Sequence, residues 1–476
     1  MKENLKAAMH DVEFIGTTTD CWTANRKGFI GVTAHRIHPT SLQRCSAALA
    51  CKQLKGPHNF TALADALTKI HTEFNIRDKI VRTTTDSGSS FLKAFRVYGV
   101  DDENNNAEPF GAEPDESGEE DGEEITMEAV EAGPLLEQDD GLEYQLPKHH
   151  RCACHLLNLV ATVDVQAVNE DRIYIKLSRS SFVKCQALWN KSSRSTSATE
   201  IIEEHCKLQL LRPCETRWNS LFYAVERIVR IVKEQGDAAI AAICSTLKIP
   251  MFSPAEIAFL TEYAKTMSPV AKAVDVLQGE ANVQMGWLVP SITLLKSKLQ
   301  NLHTTSKYCG PLVDALQAGL ERRFGETLAD PELIAAAILV PKFRTRWTTD
   351  EGIIKCGLDY IKTHLKEQSS AAQSGDSLSS AEEEDFFLSI KQTDQRDGNT
   401  KQLESYLASP TDTMDILKTF PTVCHLSLKL NTPLPASAAC ERLFSTAGMI
   451  FRPKRAKLLS ENLENLLLMK LNKRFC

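Results

Sequence analysis

An α/β domain built on a mixed sheet, joined to a large all-α region, is the fold class the sequence predicts. Three observations lead there. The stretch from Met1 to Asp86 carries short β-branched and alternating runs with one helical run among them, and the chain from Ser181 to about Leu365 is dominated by helical periodicity. Two polar segments poor in apolar residues then break the chain. At 476 residues it is long enough for two or three domains with cores of their own.

Taken in order, "DVEFIGTTTD", "KGFIGVTAHRIH" and "SLQRCSAALACKQL" read as strands, Phe60 to about Phe74 as a helix, and "KIVRTTTD" as a strand ending at Asp86. Further on, "HHRCACHLLNLVATVDVQAV" begins as a short strand and becomes a helix, while "SLFYAVERIVRIVKEQ" and "PSITLLKSKLQNLH" are helical. In "PLPASAACERLFSTAGMIFRPKRAKLL", Pro435 suits a first helical turn and Gly448 a terminator. The helix between them holds Glu441 among Ser437, Ala438, Phe444 and Ser445, a small and apolar surface that does not suit a lone carboxylate. Either it reaches solvent or it has a partner. The last helix, "SENLENLLLMKLNKRF", is read as capped by Ser460, with Leu463, Leu466 and Leu467 at helical spacing and apolar enough to bury against the core or a second subunit. No fixed-period repeat is present, which argues against a solenoid.

The net charge of −7 is unevenly spread. Between Asp101 and Glu143 stand 18 acidic residues and no Lys or Arg, which leaves 55 basic against 44 acidic side chains elsewhere. That acidic segment cannot bury enough apolar surface to offset its chain entropy and is expected to be disordered. The rest is mildly basic, which permits a polyanionic partner. No uncharged apolar run approaches the roughly 20 residues that span a bilayer, so an intracellular, soluble protein without a membrane partner is expected. Fourteen scattered cysteines point to reduced thiols.

Two strands end alike, in "TTTDCW" at Asp20 and "TTTDSG" at Asp86. A carboxylate at the carboxyl edge of a sheet is well placed to meet a metal ion or substrate, although Asp86 equally suits a turn or a helix cap, assisted by Ser87 and Gly88. Hard divalent cations take oxygen ligands, and phosphoryl-transfer sites want three converging carboxylates. Glu441, on a helix able to pack beside the sheet, supplies the third.

The set "TTTDCWTANRKGFIGVTAH", "TTTDSGSSFLKAF", "RCACHLLNL", "TRWNSLF", "AAAILVPKFR" and "PASAACERLFSTAG" resembles the hAT-type DNA transposases, nearly end to end and with the motifs in order. The resemblance implies a ribonuclease H-like mixed sheet with flanking helices, interrupted by a large helical insertion. It matches Asp20, Asp86 and Glu441 to a catalytic, metal-binding triad for Mg2+ or Mn2+ that cuts DNA and joins its ends to a target. The implied domains are a first core part over 1–100, the acidic insert over 101–145, core continuation over 146–221, a helical insertion over 222–365, a flexible linker over 366–400 and a dimerisation region completing the core over 401–476. The partners implied are DNA and a second copy, as a homodimer or higher homo-oligomer formed through the C-terminal region, in the nucleus.

Smaller motifs follow. "HHRCACH" invites a zinc site but lacks a second ligand pair, so no structural zinc is expected; the resemblance instead gives Cys152 and His155 a supporting role near the catalytic centre. Arg217 and Trp218 in "TRWNS" are either a base-stacking, phosphate-neutralising pair or the opening of a packed helix, and the resemblance favours the first. Trp22 is a weaker candidate of the same kind. Arg452, Lys454 and Arg455 form a basic run that could hold phosphates, or an ordinary solvated face. Full-length hAT proteins usually carry an N-terminal BED zinc finger, and the sequence begins about ten residues before the first core strand. Two functions are therefore expected as alternatives: a transposase-like enzyme that cuts and joins DNA, or a domesticated, non-catalytic nuclear protein that dimerises on DNA or chromatin.

Overall fold

The computed structural model describes residues 1–56, 58–99, 144–194, 196–214, 218–371, 398–452, 455 and 457–475. Nearly all of the acidic segment over 101–145 and most of the expected linker over 366–400 lie outside them. The chain forms two compact units, one of Met1–Cys152 with Thr432–Cys476 and one of Ala153–Asn431.

The first unit is built on a mixed five-stranded sheet. Its strands are β1 (Ile15–Ala24), β2 (Lys27–Ile37), β3 (Arg44–Leu54), β4 (Ile80–Thr85) and β5 (His149–Arg151), in the order β3-β2-β1-β4-β5. β1, β2 and β3 pair antiparallel, whereas β4 and β5 add on parallel to β1. Asn25 and Arg26, both at positive φ, close the tight β1–β2 hairpin in the left-handed conformation that matches strand twist.

Strand alternation gives the sheet two faces. On one, Ile15, Ile30, Val32 and Leu49 pack against Leu5 and Met9 of α1 (Lys2–His10), Leu63, Leu67 and Ile70 of α2 (Phe60–Glu73), and Phe91 and Phe95 of α3 (Ser89–Tyr98). On the other, Phe29, Ala48 and Cys51 meet Cys440, Leu443, Phe444 and Ala447 of the helix Ala438–Ile450 and Leu463, Leu467 and Leu468 of the helix Ser460–Leu471. Each fully buried Leu or Phe contributes roughly 1.5–3 kcal/mol.

The threonine triplets explain themselves here. Thr17 and Thr83, opposite in register, hold hydroxyls 2.7 Å apart, and Thr18 and Thr33 do the same at 2.6 Å. The Thr33 hydroxyl meets His35 Nε2 at 2.8 Å, and His35 Nδ1 meets Ser46 Oγ at 2.9 Å. Buried hydroxyls thus satisfy one another across the sheet. Burial, aided by Arg44, Arg442 and Arg474, keeps the His35 imidazole well below its usual pKa.

Residues 432–437 form a wholly buried segment that leads into the Glu441 helix. Thr84 Oγ1 donates to the Leu434 carbonyl at 2.6 Å, Arg44 Nη1 to the Thr432 carbonyl at 2.5 Å, and the Ser437 amide to Cys152 Sγ at 3.3 Å. Gly16 makes this possible, because a Cβ there would lie 2.6 Å from Pro433 Cα. Three sequence expectations are corrected at this end of the chain, and the open question of Glu441 is answered by its exposure to solvent. Pro435 belongs to the buried segment, and the helix starts at Ala438 after Ser437. Gly448 does not end the helix, which runs on to Ile450 because Phe451 just beyond it is buried. Ser460 is the first helical residue rather than the cap, its hydroxyl donating to Gln53 Oε1 at 2.5 Å. Glu441 is exposed, since the buried stripe is Cys440, Leu443, Phe444 and Ala447 and position 441 falls about 100° off it.

The second unit is helical from Ala153–Thr162 through Pro421–Asn431. Cys185, Leu188 and Trp189 of the helix Arg172–Arg194 and Ile202 of the helix Thr196–Cys206 are among its core residues. Its buried charges are paired. Asp164 is held by Arg322 and, in a two-pronged contact at 2.6 and 2.8 Å, by Arg323. Glu256 takes Lys184 at 2.7 Å, the Ser180 hydroxyl and the Ser253 amide, which together outweigh its burial and hold its carboxyl down to about 2.

Two measurements check these packings. Gly16→Ala forces Cβ onto the Pro433 backbone and should cost roughly 1–3 kcal/mol in urea unfolding of the first unit. Because the Glu256 carboxyl is depressed in the folded protein, its stabilisation is present above about pH 4.5 and is lost as pH falls toward about 2. Glu256→Gln should therefore flatten the acid limb of the stability profile in that window and lower stability at neutral pH.

Candidate functional site

Asp20 and Asp86 stand on neighbouring parallel strands. Thr19 of β1 pairs with Thr85 of β4, so the next residue on each chain is one of the two aspartates. Adjacent strands lie about 4.8 Å apart. The expectation that both strands end there is corrected: β4 stops at Thr85, but β1 continues to Ala24, held by β2, with Asp20 paired to Gly31. Only Asp86 leaves the sheet. Its Oδ1 accepts from the Gly88 amide at 3.1 Å in an Asx turn that launches α3. Asp20 Oδ1 accepts from the Cys21 amide at 2.8 Å.

Glu441 enters from the other end of the chain. Its helix begins directly after Ser437, whose amide bonds to Cys152 Sγ, while the Cys152 amide donates to the Thr85 carbonyl at 2.7 Å. Cys152 therefore ties the residue preceding Asp86 to the start of the Glu441 helix. Cys440, fully buried beside Glu441, has its thiol pushed well up by burial and by the charge of Asp20.

The electrostatics of Asp20 register the whole group. Burial raises its pKa well above the usual carboxylate value, the charge of Asp86 adds to this, and Glu441 and Cys152 raise it further, against the lowering effect of the Cys21 amide. On β5, burial together with Arg151 and Arg82 brings His149 down to about 3, leaving a neutral ring 2.8 Å from Thr85 Oγ1 and stacked on Phe95.

Three carboxylates are the hard-oxygen donor set suited to Mg2+ or Mn2+, and a cation would relieve the repulsion felt at Asp20. Among the described residues, however, no three His, Cys, Asp or Glu side chains stand arranged to hold a metal ion. Asp20 and Asp86 fit by type and register. Glu441 fits by type and by the reach of its charge, with its side chain turned to the exterior.

No family model matches the chain. It is similar to zinc finger BED domain-containing protein 4 of Homo sapiens, with 19% identity over 349 residues that cover 68% of this chain. The chain spans 29% of that relative's length.

The other sequence candidates fall variously. Trp22 is half-buried, stacked on Phe444 at 5.6 Å and 5.7 Å from Phe29, so its ring joins sheet to helix. Arg452 and Arg455 are exposed, and Lys454 lies outside the described residues. Trp218 opens the helix Trp218–Gln235, and Arg217 lies outside the described residues. His155 is half-buried on the helix Ala153–Thr162 of the second unit. Gly16 and Gly31 were missed, and a glycine inside an otherwise β-branched strand was the signal that could have found them.

Asp86→Asn keeps the acceptor for the Gly88 amide but removes a charge from beside Asp20. The Asp20 carboxyl should then titrate lower in a 13C NMR titration. Since a raised carboxyl pKa makes stability fall as pH rises through its titration, this variant should also be more stable than the parent at neutral pH in urea unfolding.

Proposed function

We propose that the first unit is the ribonuclease H-like core of an hAT-type, transposase-like protein that cleaves DNA strands and transfers their ends, with Asp20, Asp86 and Glu441 as catalytic carboxylates and ligands of Mg2+ or Mn2+. The observation that carries this is the equal register of Asp20 and Asp86 on adjacent parallel strands, with the charge of Glu441 felt at Asp20. The similarity to a protein named for its BED zinc finger, the module that usually accompanies hAT proteins, supports the same reading.

In this function the protein's work is positioning. The Cys21 and Gly88 amides each hold one oxygen of a catalytic aspartate, which fixes both carboxylates before substrate arrives. When bound there, Mg2+ or Mn2+ would supply Lewis-acid activation of the attacking water or 3′-hydroxyl and offset charge at the scissile phosphate. Arg452 and Arg455, with Lys454, would neutralise flanking phosphates, and Arg217 with Trp218 would hold an unpaired base. The partner beside DNA is a second copy of the chain, met through the C-terminal helix, where Leu466, Met469 and Leu471 are exposed. The compartment proposed is the nucleus.

A second reading, a non-catalytic transposon-derived protein that dimerises on DNA or chromatin, is favoured by the outward side chain of Glu441. One experiment separates the two. Purified protein with Mn2+ or Mg2+ and nicked or hairpin DNA should cut, and Asp20→Asn, Asp86→Asn and Glu441→Gln should each lower the rate at least about a hundredfold. Wild-type protein that never cuts but shifts DNA in a gel and scatters light as a dimer would establish the second reading, and a monomer that does not bind DNA would remove both.

A further inference from the structure

Gly31 lies in the middle of β2, opposite Asp20 on β1 and opposite Cys51 on β3. Glycine weakens a strand interior, so its presence needs a reason. Backbone conformation is not that reason, because Gly31 is not at positive φ. The step in β2–β3 register between Val32 and Thr33 places its extra residue, Leu49, on β3 and so asks nothing of Gly31.

What the position does require is room. A Cβ on Gly31 would lie 2.7 Å from Cys440 Sγ and 2.7 Å from Phe444 Cζ, with Phe444 Cε1 at 3.0 Å. These two residues flank Glu441 in the helix at one position before and three after. Neither can yield easily: Cys440 is 0% exposed, and the Phe444 ring is stacked on Trp22, which in turn leans on Phe29. The helix carrying Glu441 thus rests on bare backbone at the residue paired with Asp20.

We propose that Gly31 is a positioning residue whose missing side chain sets how closely the Glu441 helix approaches the sheet, and thereby how far Glu441 stands from Asp20. The inference rests on the reading that these carboxylates act together, and its test separates the two. Adding a methyl group at Gly31 lifts the helix or displaces the Phe444 ring. In either case the surroundings of the Trp22 ring change, because it is stacked on Phe444, and lifting the helix also carries Glu441 away from Asp20.

The protein is labelled with 5-fluorotryptophan and the Trp22 resonance, one of five, is assigned with Trp22→Phe. Gly31→Ala should shift that 19F resonance and lower the Mn2+-dependent cleavage rate constant at saturating DNA by at least about tenfold, with DNA affinity unchanged. Gly31→Ala combined with Cys440→Ala or with Phe444→Leu removes one of the clashing groups and should return part of both signals. Should Gly31→Ala not fold, Cys440→Val adds bulk from the helix side onto an intact Gly31 and should shift the Trp22 resonance as well. An unchanged resonance in Gly31→Ala, or a loss that neither second substitution recovers, overturns the proposal. If the wild-type protein does not cleave DNA at all, the catalytic reading falls, and the 19F comparison still decides whether Gly31 seats the helix.

Discussion

Close approach to bare sheet backbone at two glycines on one face is the constraint on which the first unit depends. Gly16 admits Pro433, and Gly31 admits Cys440 and Phe444. Between these two contacts the buried segment 432–437 is bonded to Arg44, Thr84 and Cys152, which lie on or beside three different strands. An added methyl at either glycine would act on the same short run of chain, and that run decides where Glu441 is presented. The packing is tight because interiors fill to near-crystalline density, so displacements of tenths of an ångström are transmitted, not absorbed.

The same face carries a conflict that the fold tolerates. Asp20 is half-buried next to Asp86 and within reach of the charge of Glu441, and its carboxyl is accordingly harder to ionise. On this face the Thr18 and Thr33 hydroxyls and the neutral His35 satisfy one another without adding positive charge. A like-charge cluster of this kind is a cost to folding and is typical of places where a protein meets a ligand. The buried carboxylates Asp164 and Glu256 of the second unit are neutralised by Arg323 and Lys184 instead, which is how a structural carboxylate is treated.

Much of the strand and helix content was legible because it depends on short-range pattern. The alternation in "KGFIGVTAH" and the apolar stripe of Phe60–Glu73 translate directly into β2 and α2. Legibility failed where a residue served a distant contact. Gly448 has the composition of a helix terminator, yet it stays helical with Trp22 beside it. Ser460 has the composition of a cap, and its hydroxyl is drawn to Gln53.

The amino-acid sequence by itself determined that two TTTD strands exist, that each delivers an aspartate, and that a helix near the C-terminus carries a glutamate; these follow from residue type and local spacing. Tertiary structure alone decided that the aspartates share one register, that β1 runs on past Asp20 while β4 stops, and that Glu441 faces outward from a helix seated on Gly31. The physical reason is range. Propensity and periodicity act over a few residues, whereas the approach of residue 441 to residue 20 is set by excluded volume between segments more than 400 positions apart, which no local pattern encodes.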